Sequence, residues 1–249
     1  MHPIICKLGP VTIYSYGLAM FVATVVSLNF LLKEAGRQGF DKNKIFDLFI
    51  IILFSGIIGA RLLYILLNIG FYIENPVEII MLQHGGLAIL GGMLFAPVCG
   101  LIYAKFNKLS FLKVADLFVP FVALGHSIGR IGCFFNGCCY GIESAKFGFY
   151  FPVHQAYLIP AQLIDSVVLL ILFVILRIKQ LRPHYKGEIF INYIWFYSIS
   201  RFFMEFIRAD SDKLSLGLTL FQYICIIIFV IGSIIFVTIK TKWNQRPSK

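Results

Sequence analysis

Seven stretches of the chain stay apolar for about the length of a membrane helix: 13–32, 46–68, 85–104, 113–133, 160–178, 188–207 and 217–239. A hydrocarbon core about 30 Å thick needs about 20 residues of helix to cross it. Polar and charged residues gather in the connections between these runs. The pattern predicts an all-α polytopic membrane protein, a bundle of about seven transmembrane helices using residues 1–249 as one domain. Glycines and prolines interrupt the third and fourth runs. The first run is too long for the apolar region of a cleavable signal peptide, and positive charge follows it instead of preceding it. The chain carries no internal repeat and no low-complexity tract.

Composition agrees with this pattern. Hydrophobic residues make up 59% and charged residues 14%, against about 25% charged in soluble domains, and the mean hydropathy is +0.85. The formal charge of +10 does not indicate a nucleic-acid partner, because the basic residues sit in short loops between apolar runs. There they set orientation. Of 22 Lys and Arg, fifteen fall in the first, third and fifth loops and the C-terminal tail, and only Lys7, Lys146, Arg208 and Lys213 fall on the other side. The excess predicts a cytoplasmic C-terminus, an N-terminus outside and an outward-facing stretch at 134–159.

The remaining three arginines, Arg61, Arg130 and Arg201, lie inside or at the edge of apolar runs. A guanidinium near the bilayer centre costs at least about 2.5–3.5 kcal/mol on insertion scales, so such residues default to function. The abundant membrane anion that a fixed cation can hold is a lipid phosphate. The densest signal is His126-Ser-Ile-Gly-Arg130-Ile-Gly-Cys133-Phe-Phe-Asn136-Gly-Cys138-Cys139-Tyr-Gly141. His126 and Arg130 share a helical face, Asn136 adds an amide, and the glycine turns around it can aim N–H groups at an anion. The structural alternative is a tightly packed helix end whose arginine snorkels or pairs with a carboxylate.

In the sixth run Arg201 and Glu205 also share a face, either as a self-neutralising pair or as an oriented phosphate clamp. Gly85-Gly86 and Gly91-Gly92, preceded by His84, narrow the third run. They suggest either a lipid-accessible cleft or close helix packing through small residues. Tyr14, Tyr16 and Gly17 sit near the outer end of the first run, where aromatic residues are expected in any case. Cys133, Cys138 and Cys139 with His126 could supply metal ligands, but their spacing matches no common zinc pattern, and no metal is expected. A thiol-redox role is the other reading of these cysteines.

Together these residues resemble the prolipoprotein diacylglyceryl transferase family of bacterial inner membranes. The likeness runs from Tyr14-Ser-Tyr16-Gly-Leu18 to Gln222-Tyr223 through Gly59-Ala-Arg61, the double-glycine block, Gly129-Arg-Ile-Gly132, Asn136-Gly137, Pro160-Ala-Gln-Leu163 and Arg201 with Glu205. It implies seven transmembrane helices and transfer of the diacylglyceryl group of phosphatidylglycerol to the lipobox cysteine of prolipoprotein signal peptides, releasing glycerol 1-phosphate without a cofactor. It implies Arg130 and Arg201 as donors to the phosphate, with Glu205 orienting Arg201. Asn136, Tyr16, Arg61, Gly85 and Gly86 are then implied around the headgroup.

Three positions depart from the family pattern. Leu90 stands where the family commonly has a histidine, Cys133 where it has Asn and Cys138 where it has Glu. His126 is then the candidate base, unless the arginine field alone activates the thiol. The rival expectations are a divergent paralogue with a different acceptor and a non-catalytic lipid-binding protein.

Overall fold

The computed structural model describes residues 2–8, 11–81, 85–209 and 213–244. Each expected apolar run appears as a helix: α1 (Ser15–Arg37), α2 (Lys42–Leu67), α4 (Ile89–Phe106), α5 (Phe111–Asn136), α6 (Ala161–Gln180), α7 (Glu188–Met204) and α8 (Leu220–Asn244). A short helix α3 (Ile69–Glu74) follows α2. Six of the helices have at least 18 residues and are apolar enough to cross a bilayer; α7, with 17, is at the lower limit of spanning length. The protein is an all-α polytopic membrane protein.

Two small antiparallel hairpins, absent from the expectation, and two short 3₁₀ turns (Pro76–Ile79 and Ser215–Gly217) also lie among the described residues. Strands β1 (Ile4–Leu8) and β2 (Val11–Tyr14) precede α1, with Lys7 opposite Thr12. Strands β3 (Phe149–Phe151) and β4 (Ala156–Leu158) lie in the connection between α5 and α6, with Tyr150 opposite Tyr157.

The chain divides into two compact units, Leu32–Val114 and Met1–Leu31 with Ala115–Lys249. In the first, Asp41 caps α2 by accepting from the Asn43 N–H at 2.9 Å, which satisfies one of the otherwise orphaned donors of a helix start. Helices α2 and α4 pack through glycines. A Cβ on Gly91 would sit 2.2 Å from the Gly59 carbonyl oxygen, and one on Gly59 would sit 2.4 Å from Cβ of Phe95. The second pair of the double-glycine block therefore serves close backbone approach, the main route to helix association where apolar burial gives no drive.

In the second unit, Val119 and Ala123 of α5, Leu169, Leu172 and Leu176 of α6 and Ile189 of α7 form a buried cluster. Gly125 and the signature's Gly129 and Gly132 face α1: a Cβ on Gly125 would meet Ser27 Oγ at 2.8 Å, on Gly129 Met20 Sδ at 3.3 Å, and on Gly132 Ala19 Cβ at 2.6 Å. On another side, α5 locks to α6 by reciprocal bonds, with each hydroxyl of Ser127 and Ser166 donating to the other residue's carbonyl at 2.8 Å. Asp116 of α5 accepts from the N–H groups of Gly187 and Phe190 and so fixes the start of α7. These contacts set the rotation of α5, and with it the direction of Arg130.

Candidate functional site

Arg130 of α5 meets Asp165 of α6, with Nε 2.7 Å from Oδ2, and both side chains are nearly buried, 12% and 7% exposed. The contact lies three residues from Ser127 on α5 and one from Ser166 on α6, so the same interface that aligns the helices aligns the ion pair. Neither terminal nitrogen of Arg130 donates a hydrogen bond among the described residues. Nε is in ion-pair contact with the carboxylate without hydrogen-bond geometry, and the edge of the two terminal nitrogens is the part left to receive an anion in bidentate fashion.

Arg201 and Glu205 pair as their spacing predicts, Nη2 to Oε2 at 2.7 Å. Thr219 donates to the other oxygen, Oε1, at 3.1 Å, and Arg201 lies over the ring of Phe221, 5.1 Å from its centroid. The Arg201 Nη1 is buried and has no hydrogen-bond partner among the described residues. A buried donor of this kind is costly unless something accepts from it.

Helix α7 carries Tyr193, Tyr197 and Arg201 on one face, the two rings stacked at 5.6 Å. The His126 ring lies 5.8 Å from that of Tyr197. The charges of Arg130 and Arg201 both bear on His126 and on Tyr197, and Arg130 bears on Tyr16 as well. The fold thus brings Arg130, Arg201, His126 and Tyr16 into one electrostatic neighbourhood, with Glu205 behind Arg201.

Asn136 ends α5. Gly137 takes the left-handed conformation (φ 78°), and the N–H groups of Gly137 and Cys138 both donate to the Cys133 carbonyl, at 3.0 and 3.2 Å. This closure satisfies the helix end. The turn's donors, expected to aim at an anion, are used here by the helix itself. Past the turn, Gln162 Nε2 donates to the Cys138 carbonyl at 2.6 Å and the His154 ring bonds the Gly137 carbonyl at 2.9 Å. The three thiols that follow from this path, Cys133, Cys138 and Cys139, lie within 4.8 Å of one another. The Cys138 thiol donates to the Cys133 carbonyl at 3.7 Å, and the charges of Arg208 and Arg130 bear on Cys139.

Arg61, expected at the headgroup with Gly85 and Gly86, does come together with them, but through its own donors. Its Nε donates to the Ile79 carbonyl at 3.2 Å, Nη1 to the carbonyls of Gly85 and Gly86, and Nη2 to those of Glu78 and Met81. Tyr72 presents its ring 5.3 Å away. A guanidinium has five N–H donors, and each has a carbonyl here. Gly86 is left-handed (φ 80°), and a Cβ on it would strike Arg61 Nη1 at 2.6 Å. The cavity of about 380 Å³ beside Arg61 is bordered by an arginine already engaged with the backbone. His84 lies outside the described residues.

The sequence reading passed over Asp165 and Tyr197. Asp165 is a carboxylate inside an apolar run, and the rule that marks intramembrane arginines would have marked it equally. Tyr197 carries no such signal, since an aromatic residue on a membrane helix is ordinary.

A membrane-embedded helical frame with two nearly buried arginine–carboxylate pairs defines a class: polytopic membrane proteins that carry paired charge within their helices. The chain matches the model of the prolipoprotein diacylglyceryl transferase family over residues 3–238 and belongs to that family. It is 36% identical to the phosphatidylglycerol–prolipoprotein diacylglyceryl transferase of Bacillus cytotoxicus over 97% of this chain and 93% of the relative. Proteins of the same name from Bacillus cereus strain G9842 and Bacillus licheniformis are 34% and 33% identical, covering 98% and 92% of this chain and 93% and 89% of their own lengths.

Proposed function

We propose that this protein transfers the diacylglyceryl group of phosphatidylglycerol to the lipobox cysteine thiol of prolipoproteins, from a site opening to the outer leaflet of the bacterial cytoplasmic membrane, with its C-terminus in the cytoplasm. The observation that carries the reading is the pair of buried arginine–carboxylate contacts, Arg130 with Asp165 and Arg201 with Glu205. The leaving group is a phosphate monoester dianion. Charge therefore builds on phosphate as the glyceryl C–O bond breaks, and fixed donors aimed there stabilise the transition state more than the ground state. Arg130 binds the phosphate through its free edge and Arg201 adds the unpartnered Nη1. Glu205 orients Arg201, and Tyr16 and Asn136 hold the glycerol head. Arg61, with Gly85 and Gly86, supports the frame.

The test is a lipobox peptide incubated with the purified protein in phosphatidylglycerol vesicles, product being read by mass. Arg130→Gln should lower transfer by about 10²–10³-fold, the size of effect seen when one transition-state donor is removed. Lipid binding without thioether product in the unaltered protein would make it a non-catalytic lipid binder.

A further inference from the structure

We propose that Cys133, Cys138 and Cys139 form a three-thiolate zinc site whose fourth position takes the acceptor cysteine thiol. The inference rests on the transferase reading and names the group that activates its acceptor. Three observations carry it. The thiols converge within 4.8 Å of one another. A tetrahedral zinc with Zn–S bonds of about 2.3 Å places its sulfurs about 3.8 Å apart, so a small contraction closes the site. Among the described residues no fourth His, Cys, Asp or Glu joins the group, which is the three-ligand pattern of zinc sites that keep a position for substrate.

The convergence is also built, not incidental. Cys139 holds a left-handed backbone (φ 62°), an arrangement that costs a non-glycine residue about 1–3 kcal/mol and persists only when its surroundings impose it. Those surroundings are the Gly137 turn and the hydrogen bonds from Gln162 and His154 to the carbonyls of Cys138 and Gly137. Finally, the cluster lies in the field of Arg130, the proposed phosphate ligand, and next to Tyr16. Three thiolates and Zn²⁺ leave one negative charge, within the fields of Arg208 and Arg130.

The chemistry closes. Binding to zinc deprotonates the acceptor thiol, and its proton passes to solvent. The zinc-bound sulfur attacks the glyceryl carbon, the S–C bond forms, and the C–O bond breaks with its electron pair going to phosphate. A thiolate and a phosphodiester monoanion become a neutral thioether and a phosphomonoester dianion. A metal at this point does the work of a base, in a chain that has Leu90, Cys133 and Cys138 where its family commonly has His, Asn and Glu.

The test uses full-length protein in detergent or nanodiscs, purified under reducing conditions with zinc present. About one zinc per chain is expected, falling by about tenfold or more in Cys133→Ser, Cys138→Ser and Cys139→Ser. Replacing zinc with cobalt should give a thiolate-to-cobalt charge-transfer band. A lipobox peptide should shift that spectrum, while its Cys→Ser analogue should not. Absence of zinc in the reduced protein, zinc retained by the serine variants, or transfer undiminished after chelation would each overturn the proposal and leave the transferase reading standing. A peptide-dependent spectral shift without thioether product would uphold the site and sink the transferase reading.

Discussion

Arg61 distinguishes support from substrate binding, and Arg61→Lys is the informative change. Lysine keeps the charge but offers three donors where arginine offers five. In place of the bonds to Glu78, Ile79, Met81, Gly85 and Gly86, about two carbonyls lose their donor. An unsatisfied buried acceptor costs about 1–3 kcal/mol, so the substitution should destabilise by about 2–6 kcal/mol. At roughly 2–4 °C per kcal/mol for a chain of this size, the melting temperature should fall by about 4–24 °C. The assay is thermal unfolding in detergent, with limited proteolysis of the connection between α3 and α4 as a local readout. Arg61→Ala should be worse on both. If Arg61 were a headgroup contact, the lysine variant would melt with the unaltered protein and keep much of its lipid affinity. A wild-type melt together with raised KM for phosphatidylglycerol would refute the supporting role.

Asp165→Asn should leave Arg130 an uncompensated buried charge and cost about 3–5 kcal/mol. Adding Arg130→Gln should restore part of that stability without restoring transfer, a non-additivity measurable by a double-mutant cycle. Gly91→Ala should lower stability by about 1–3 kcal/mol through overpacking, since its Cβ would meet the Gly59 carbonyl. Gly17→Ala, which meets nothing within 4 Å, should be neutral or stabilising in the same melts.

The helices were legible because a membrane span is announced by length and hydropathy together, and bilayer thickness removes most alternatives. Their ends were less so: α1 runs on to Arg37 and α2 begins at Lys42, because basic residues extend a helix beyond the hydrocarbon without penalty. Hairpin β3–β4 escaped notice because strands of three residues carry too few alternations to register. At the site, pairs four residues apart could be seen in advance, as with Arg201 and Glu205. Partners on other helices could not, because no local spacing links Arg130 to Asp165 or Arg61 to the carbonyls before α4. The cysteines show the same limit. Their spacing resembles no familiar ligand set, yet a left-handed residue at Cys139 gathers them.

The acidic partners of the two arginines have a bearing on turnover. Bare guanidinium groups in a dry pocket would hold a doubly charged monoester so tightly that departure of glycerol 1-phosphate would limit the cycle. With Asp165 and Glu205 already sharing the positive charge, the grip on the released dianion is weaker than bare guanidinium groups would give. Each carboxylate stays with its arginine as a counterion when the fragment leaves, so the emptied pocket holds no bare charge to resist the next lipid.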